Sequence, residues 1–345
     1  MSNPGAPQHT RAALSRRGFL GAGGALALGA LIAACGGDGG DKSSSGGGSW
    51  SFTDDRGEKI RLDARPGRVV AYVAAAAALY DFGVDEQLVG VFGPTKLKDG
   101  SPDPQAGDLP VDRLEIIGNA FGEFNIEKYA ALRPELLVSN MFVDDELFYV
   151  PPESKDKIYG LAPSVAISAG SVPLPKPIER TAELAAALGA DVKSDKVTAD
   201  RRRFEKAAER VRAAAEEKRG LKVLAASASP DLFYASSPDK NTDLIYLKEL
   251  GVDIVVPEKL DQAGYFENLS WENAGKYKAD LILLDSRTQA LQPKDLGDKP
   301  TWKELPAVKA GQVVPWQPEP RFSYAGCAPI LEEFAAALQS AKKAG

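Results

Sequence analysis

Short apolar runs alternate with helix-spaced stretches along most of this chain, and the alternation predicts its elements. Residues 51–62 read as a hairpin turning at Asp55-Arg56-Gly57. Residues 68–73 form an apolar run of strand length, followed by an alanine-rich helix over 74–82 that Gly83 stops, and 88–92 is a second strand. Strand-helix-strand order predicts a parallel sheet with helices on its faces. The same grammar returns at 222–226, at 242–250 with Gly251 behind it, and at 252–256, so two α/β lobes of one kind are expected. Between them lies helix: 177–188, opened by Pro177 and ended by Gly189, then 195–219, whose Phe204, Ala207, Ala208 and Val211 share a core-facing stripe. Residues 329–344 predict a closing amphipathic helix.

Each half also contains the same small pattern. Asn125-Ile126-Glu127 lies nine residues before the apolar run at 136–138, and Ser270-Trp271-Glu272 lies nine residues before that at 281–284. Both read as an N-cap followed by a short helix with Glu in its first turn. Two explanations stand: the acid stabilises the helix start by about 0.3–1 kcal/mol, or each lobe displays one glutamate in the same local geometry.

Composition narrows the chemistry. With 345 residues, 44% of them hydrophobic, the chain can fill one large core or two ordinary ones. It has a single histidine, His9, and two cysteines, Cys35 and Cys327, so a histidine base, a His/Cys zinc cluster and a disulfide framework all lack their residues. The net charge is −6, and because residues 1–34 carry Arg11, Arg16 and Arg17 without any acid, the remainder stands at −9 and repels nucleic acid.

The N-terminus reads as an address. Ser15-Arg16-Arg17-Gly18-Phe19-Leu20 precedes an uncharged Gly/Ala/Leu run over 21–34, and the pair of arginines resembles a twin-arginine export signal. The run falls short of the ~20 apolar residues that span a bilayer. Its ending, Ile32-Ala33-Ala34-Cys35, resembles a bacterial lipobox, with Cys35 acylated as the new N-terminus. The expected division is a signal peptide over 1–34, a lipid-anchored Gly/Ser tether over 35–50, an N-terminal lobe over 51–175, a linking helix over 176–189 and a C-terminal lobe over 190–345. Cys327 is then the only thiol of the mature chain, expected as a small buried hydrophobe.

Asp54-Asp55-Arg56-Gly57, the strand Pro66-Gly67-Arg68-Val69-Val70, Gly83-Val84 followed by Leu88-Val89-Gly90-Val91, and the two Glu motifs resemble, in that order, the solute-binding lipoproteins of ABC importers for ferric siderophores, cobalamin and haem. The resemblance covers about 51–343. It implies two Rossmann-like lobes with mostly parallel sheets joined by a single rigid helix near 176–188, and a ligand held in the cleft between them with little closure. It also implies a monomeric receptor outside the cytoplasm that delivers its ligand to a permease dimer with its ATPase, with Glu127 and Glu272 meeting arginines on the two permease subunits. The ligand expected is a ferric siderophore, with cobalamin or haem as the alternative. No resident cofactor and no protein-bound metal are expected, because relatives that bind bare metals use histidines. A more remote reading, a secreted carboxylate-dependent hydrolase, has only Asp144-Asp145-Glu146 to draw on.

Ligands of open α/β lobes bind at the carboxyl ends of strands. In the first lobe this selects Tyr72, Phe121, Asn140 and Phe142, and in the second Tyr234, Arg287, Trp316, Arg321 and Tyr324. The 316–324 stretch carries the most specific signal, since aromatics and an arginine set among prolines suit an organic chelate with anionic oxygens.

Overall fold

A computed structural model describes residues 48–344 of the chain; the expected signal peptide, Cys35 and most of the tether lie outside them. The hairpin forms as β1 (Trp50–Thr53) and β2 (Lys59–Leu62), with Trp50, Phe52 and Ile60 buried and the alternate residues turned outward. Its turn is held by Asp54, whose Oδ1 accepts the backbone N–H groups of Arg56 and Glu58 at 3.0 and 3.1 Å.

β3 (Val69–Tyr72), β4 (Leu88–Phe92), β5 (Glu115–Gly118), β6 (Leu136–Met141) and β7 (Ser164–Ser168) build one sheet in the order β5-β4-β3-β6-β7, parallel throughout. Helix α1 (Val73–Asp81) leaves β3 directly, and eight of its nine residues are buried, which its alanines allow because small side chains let neighbouring elements approach closely. Two short helices follow, α2 (Ile126–Ala131) and α3 (Lys155–Tyr159).

Helix α4 (Pro175–Ala187) covers most of the segment expected to link the lobes, but it packs against β1, β7 and α1. The Trp50 indole donates to the Ala187 carbonyl at 2.8 Å, and Arg180 pairs with Asp55 at 2.6 Å. The crossing is made instead by α5 (Asp195–Glu217), which starts beside α1, where Lys196 reaches the Asp81 carbonyl, and ends at the first strand of the second sheet. The 23-residue length of α5 decides this, because at ~1.5 Å per residue it spans a domain, whereas α4 is little more than half as long.

The second sheet contains β8 (Lys222–Ala228), β9 (Leu232–Ser236), β10 (Asp253–Ile254), β11 (Phe266–Ser270), β12 (Leu281–Asp285) and β13 (Val313–Trp316), ordered β11-β9-β8-β12-β13 with β10 beside the start of β8. It is mixed, since β9 and β11 run antiparallel: the three-residue connection 229–231 is too short for a crossover and forces a hairpin. Helix α6 (Thr242–Glu249) and two short helices, α7 (Pro300–Glu304) and α8 (Pro306–Lys309), flank it. The closing helix α9 (Tyr324–Ser340) begins five residues before the sequence predicts, because the Ser323 hydroxyl caps it by accepting the Gly326 N–H at 2.9 Å, which leaves Pro329 inside it.

One apolar core joins both lobes, running from Val69 and Leu136 through Val211 and Leu331 to Leu283 and Trp316; a second fills the far face of the second sheet around Phe233 and Trp302. A shared core resists swinging of the lobes, since opening the junction would expose apolar surface at about 25 cal/mol per Å². Among the described residues, no helix is long and apolar enough to cross a membrane.

Candidate binding cleft

The carboxyl ends of both sheets face a cleft of about 820 Å³, within the ~300–1,000 Å³ of small-molecule sites. Its wall from the first lobe is aromatic. Phe142 follows β6, and Phe148 and Tyr149 return in the same loop, with Phe142 against Phe148 at 4.7 Å and Phe148 against Tyr149 at 4.8 Å between ring centroids. Phe121 stands edge-on to Tyr149 at 5.3 Å and remains 73% exposed, an apolar ring held in water at the mouth of the cleft. Tyr149 has a positive φ of 63°, a conformation costly for an aromatic residue, which its packing on Tyr72 and Phe148 holds in place. Burial raises its phenol to about 12, so the hydroxyl stays protonated as a hydrogen-bond donor.

The second lobe contributes a polar floor. Arg287, two residues beyond β12, donates from Nη2 to Asp285 at 2.6 Å and from Nε to the same carboxylate at 3.0 Å, while its Nη1 pairs with Glu319. Glu319 is buried and also receives Gln105 Nε2 at 3.2 Å and the Tyr72 hydroxyl at 3.3 Å, both from the first lobe. Desolvation pushes the Glu319 carboxyl upward and the Arg287 guanidinium pulls it back, so the pair is mutually dependent. Asp103, raised by burial, accepts the Thr288 hydroxyl across the lobes at 3.3 Å. Tyr265, on a turn after β10, donates to the Phe142 carbonyl and closes one end, and a Cβ on Gly170 would lie 2.4 Å from that carbonyl oxygen, so only glycine fits beside the contact.

Of the residues selected from sequence, Phe121, Phe142 and Arg287 line the cleft. Tyr72 is fully buried beneath it and reaches the floor only through its hydroxyl, and Asn140 is buried in β6. Tyr234 lies outside the cleft, in β9, where it packs on Phe266. Trp316 is core, its indole donating to the buried Asp243. Arg321 and Tyr324 face the junction behind the cleft. Arg321 pairs with Asp81 of α1 at 3.2 Å, and Tyr324, the first residue of α9, packs on Phe82 and Phe204 at 5.9 and 5.7 Å. The sequence reading treats 316–324 as one loop with one face, whereas α9 starts inside it and turns its second half away.

The sequence reading missed Lys96, Lys98, Asp103, Phe148, Tyr149, Tyr265 and Glu319 among the lining residues. The crowding of Phe142, Phe148 and Tyr149 into one loop was the available signal; Tyr265 and Lys96 had none, because only the docking of the lobes brings them to the cleft. Asp144, Asp145 and Glu146 lie exposed on the rim. Cys327 is fully buried, and burial pushes its thiol far up, which leaves it unreactive.

The two glutamate motifs differ in backbone. Glu127 sits in the first turn of α2, which Asn125 caps by accepting the Lys128 N–H at 2.8 Å, while Glu272 sits in a single 3-10 turn (Trp271–Asn273). Both carboxylates are exposed, and neither forms an ion pair among the described residues.

No curated protein matches the chain. Among solved structures, it is similar to DesE, a ferric-siderophore receptor protein from Streptomyces coelicolor, with 52% identity, coverage of 86% of this chain and 100% of that one, and a TM-score of 0.83. More distant similarities, which show the fold, include the petrobactin-binding protein YclQ of Bacillus subtilis (18% identity, 85% of this chain and 99% of that one, TM-score 0.64). FeuA of the same organism, a triscatecholate siderophore binding protein, has 18% identity over 84% of this chain and 96% of that one, with a TM-score of 0.59. The family described as periplasmic binding protein matches residues 69–320, and with two α/β lobes closing on a cleft at their strand ends, this chain belongs to that extracytoplasmic binding-protein family.

Proposed function

We propose that the protein captures a ferric siderophore in the cleft and delivers it to the permease of an ABC importer. The cleft carries this reading: it has the volume of a medium-sized organic ligand, a wall of aromatic rings to cover a chelate's skeleton, and a Phe121 whose exposed face would be covered by a bound ligand. The 52% identity to a ferric-siderophore receptor supports it, as does a site whose acids and arginine are tied to one another rather than poised for catalysis. Within this reading the protein works as a monomer, held outside the membrane by lipid on Cys35 and by the 35–50 tether. Arg16→Lys with Arg17→Lys is then expected to leave precursor in the cytoplasm.

Calorimetric titration of the protein with ferric siderophores, cobalamin and haem tests the ligand. Micromolar or tighter binding to an iron chelate is expected; binding of cobalamin or haem alone refutes it. The permease contact is assigned to Glu127 and Glu272, one exposed acid per lobe for two permease subunits. Glu127→Arg with Glu272→Arg should abolish uptake while chelate affinity stays within about twofold, ~0.4 kcal/mol. Full uptake by that variant removes the assignment.

A further inference from the structure

A second, smaller cavity of about 100 Å³ lies in the C-terminal lobe, walled by Leu247, Leu283, Val314 and Phe334. It shares no lining residue with the cleft, although its Asp243, Ser286 and Gln317 each stand within two positions of the cleft residues Asn241, Arg287 and Pro318. These three polar residues offer oxygens that lack donors. Asp243, in the first turn of α6, is 4% exposed; the Trp316 indole donates to its Oδ2 at 2.5 Å, and its Oδ1 has no hydrogen-bond partner. Gln317 Oε1, just beyond β13, is likewise buried and unpartnered. The Ser286 hydroxyl donates to the Trp316 carbonyl at 2.9 Å, which leaves its oxygen able to accept. Buried acceptors without donors are rare, so two in one small cavity call for an occupant. Charge points the same way. Asp243 and the exposed Glu333 are the ionisable residues of the lining, and neither pairs with a cation among the described residues. Burial raises the Asp243 carboxyl to about 6, opposed by the Trp316 indole and by no neighbouring cation.

We propose that this cavity is a second binding site, separate from the cleft, for a short primary ammonium cation. An alkylammonium head carries three N–H donors and no acceptor, which matches a carboxylate, an amide and a hydroxyl oxygen, and its charge answers a buried acid that nothing else neutralises. The apolar walls suit a short alkyl stem. A volume of about 100 Å³, against ~30 Å³ for one water, admits an ion of only about three or four non-hydrogen atoms. Water would supply donors without charge, and a potassium ion would supply charge without donors or an apolar part. The ammonium class alone meets all three features of the lining.

The test is titration of the protein at pH 8, where Asp243 is ionised, with ethylammonium chloride, following tryptophan emission and melting temperature. Tetramethylammonium and potassium chlorides at equal ionic strength serve as comparators. So small a ligand cannot bind much more tightly than about 1 mM, so a saturable response with a dissociation constant of about 1–10 mM is expected. The comparators should act at least about tenfold more weakly. An equal response to either comparator overturns the proposal, because N–H donors would then be irrelevant. Absence of a saturable ethylammonium response overturns it too, leaving water to fill the cavity. Asp243→Asn should weaken ethylammonium binding at least about tenfold. If that variant does not fold, Gln317→Ala, whose Oε1 has no other partner, should weaken it at least about threefold. Undiminished binding in a folded variant overturns the proposal.

Discussion

Arg287 and Arg321 are held by the same means. Each pairs with a buried carboxylate, Arg287 with Asp285 and Glu319, Arg321 with Asp81. What surrounds them differs. Arg287 forms the floor of an open, aromatic-walled cleft, whereas Arg321, as little exposed, lies outside that cleft against backbone: a Cβ on Gly107, at φ 54°, would lie 1.3 Å from its Nη1, so only glycine there admits the guanidinium. The contrast teaches that an arginine beside aromatics and prolines signals a desolvated ion pair, and that only the space next to it distinguishes a ligand site from a structural rivet.

If the contrast is right, substitutions behind the cleft change stability and leave affinity alone, and substitutions in the cleft do the reverse. The largest effect is expected for Arg321→Ala, which strands the Asp81 carboxylate between the lobes and should destabilise the protein by about 3 kcal/mol. Thermal unfolding measures this, and chelate affinity below the transition should stay within about twofold; a large loss of affinity in folded protein would return Arg321 to the binding site.

Asp243 is the next probe of the rear. Burial raises its carboxyl to about 6, with the Trp316 indole opposing the shift. Because the folded pKa lies above the unfolded value near 4, the folded state holds the proton more tightly, and this group's contribution is present below pH ~4 and lost as pH rises through ~6. Asp243→Asn should therefore remove about 2.7 kcal/mol of pH dependence between those limits. Denaturant titrations across that window, with identical slopes for variant and wild type, would show that Asp243 is not the titrating group.

In the cleft, Phe121→Ala should weaken chelate binding about tenfold, ~1.4 kcal/mol, with an unchanged melting temperature, since the free protein leaves that ring in water. Tyr149→Phe should produce the smallest change, about threefold to tenfold in dissociation constant, because it keeps the stacked ring and deletes one hydrogen bond worth ~1 kcal/mol. Loss of affinity beyond that range would mean the hydroxyl also maintains the left-handed loop.

Much of the architecture is legible along the chain. The apolar run at Val69–Tyr72, the alanines of α1, Pro177 in the first turn of α4, two residues after that helix starts at Pro175, and the glycines closing α1 and α6 are local signals, written within a few residues of what they specify. Phe121, Phe142 and Arg287 are legible for a related reason, since the carboxyl end of a parallel strand must face the cleft. The 316–324 segment was not. Its Glu319 faces the cleft and its Tyr324 the rear, because α9 starts within it, a difference set by the Ser323 cap and by the depth at which α9 packs on α5.

By itself, then, the sequence determined the periodicity, the two lobes and the residue types lining their strand ends, all properties of short-range sterics and of apolar burial. The tertiary structure alone decided which helix crosses between lobes, which arginine faces the cleft, and that Lys96, Tyr149, Tyr265 and Glu319 meet around one space. Those outcomes depend on contacts between residues more than a hundred positions apart, such as Tyr72 with Glu319, Phe142 with Tyr265 and Asp81 with Arg321, and no local pattern encodes the docking that brings them together.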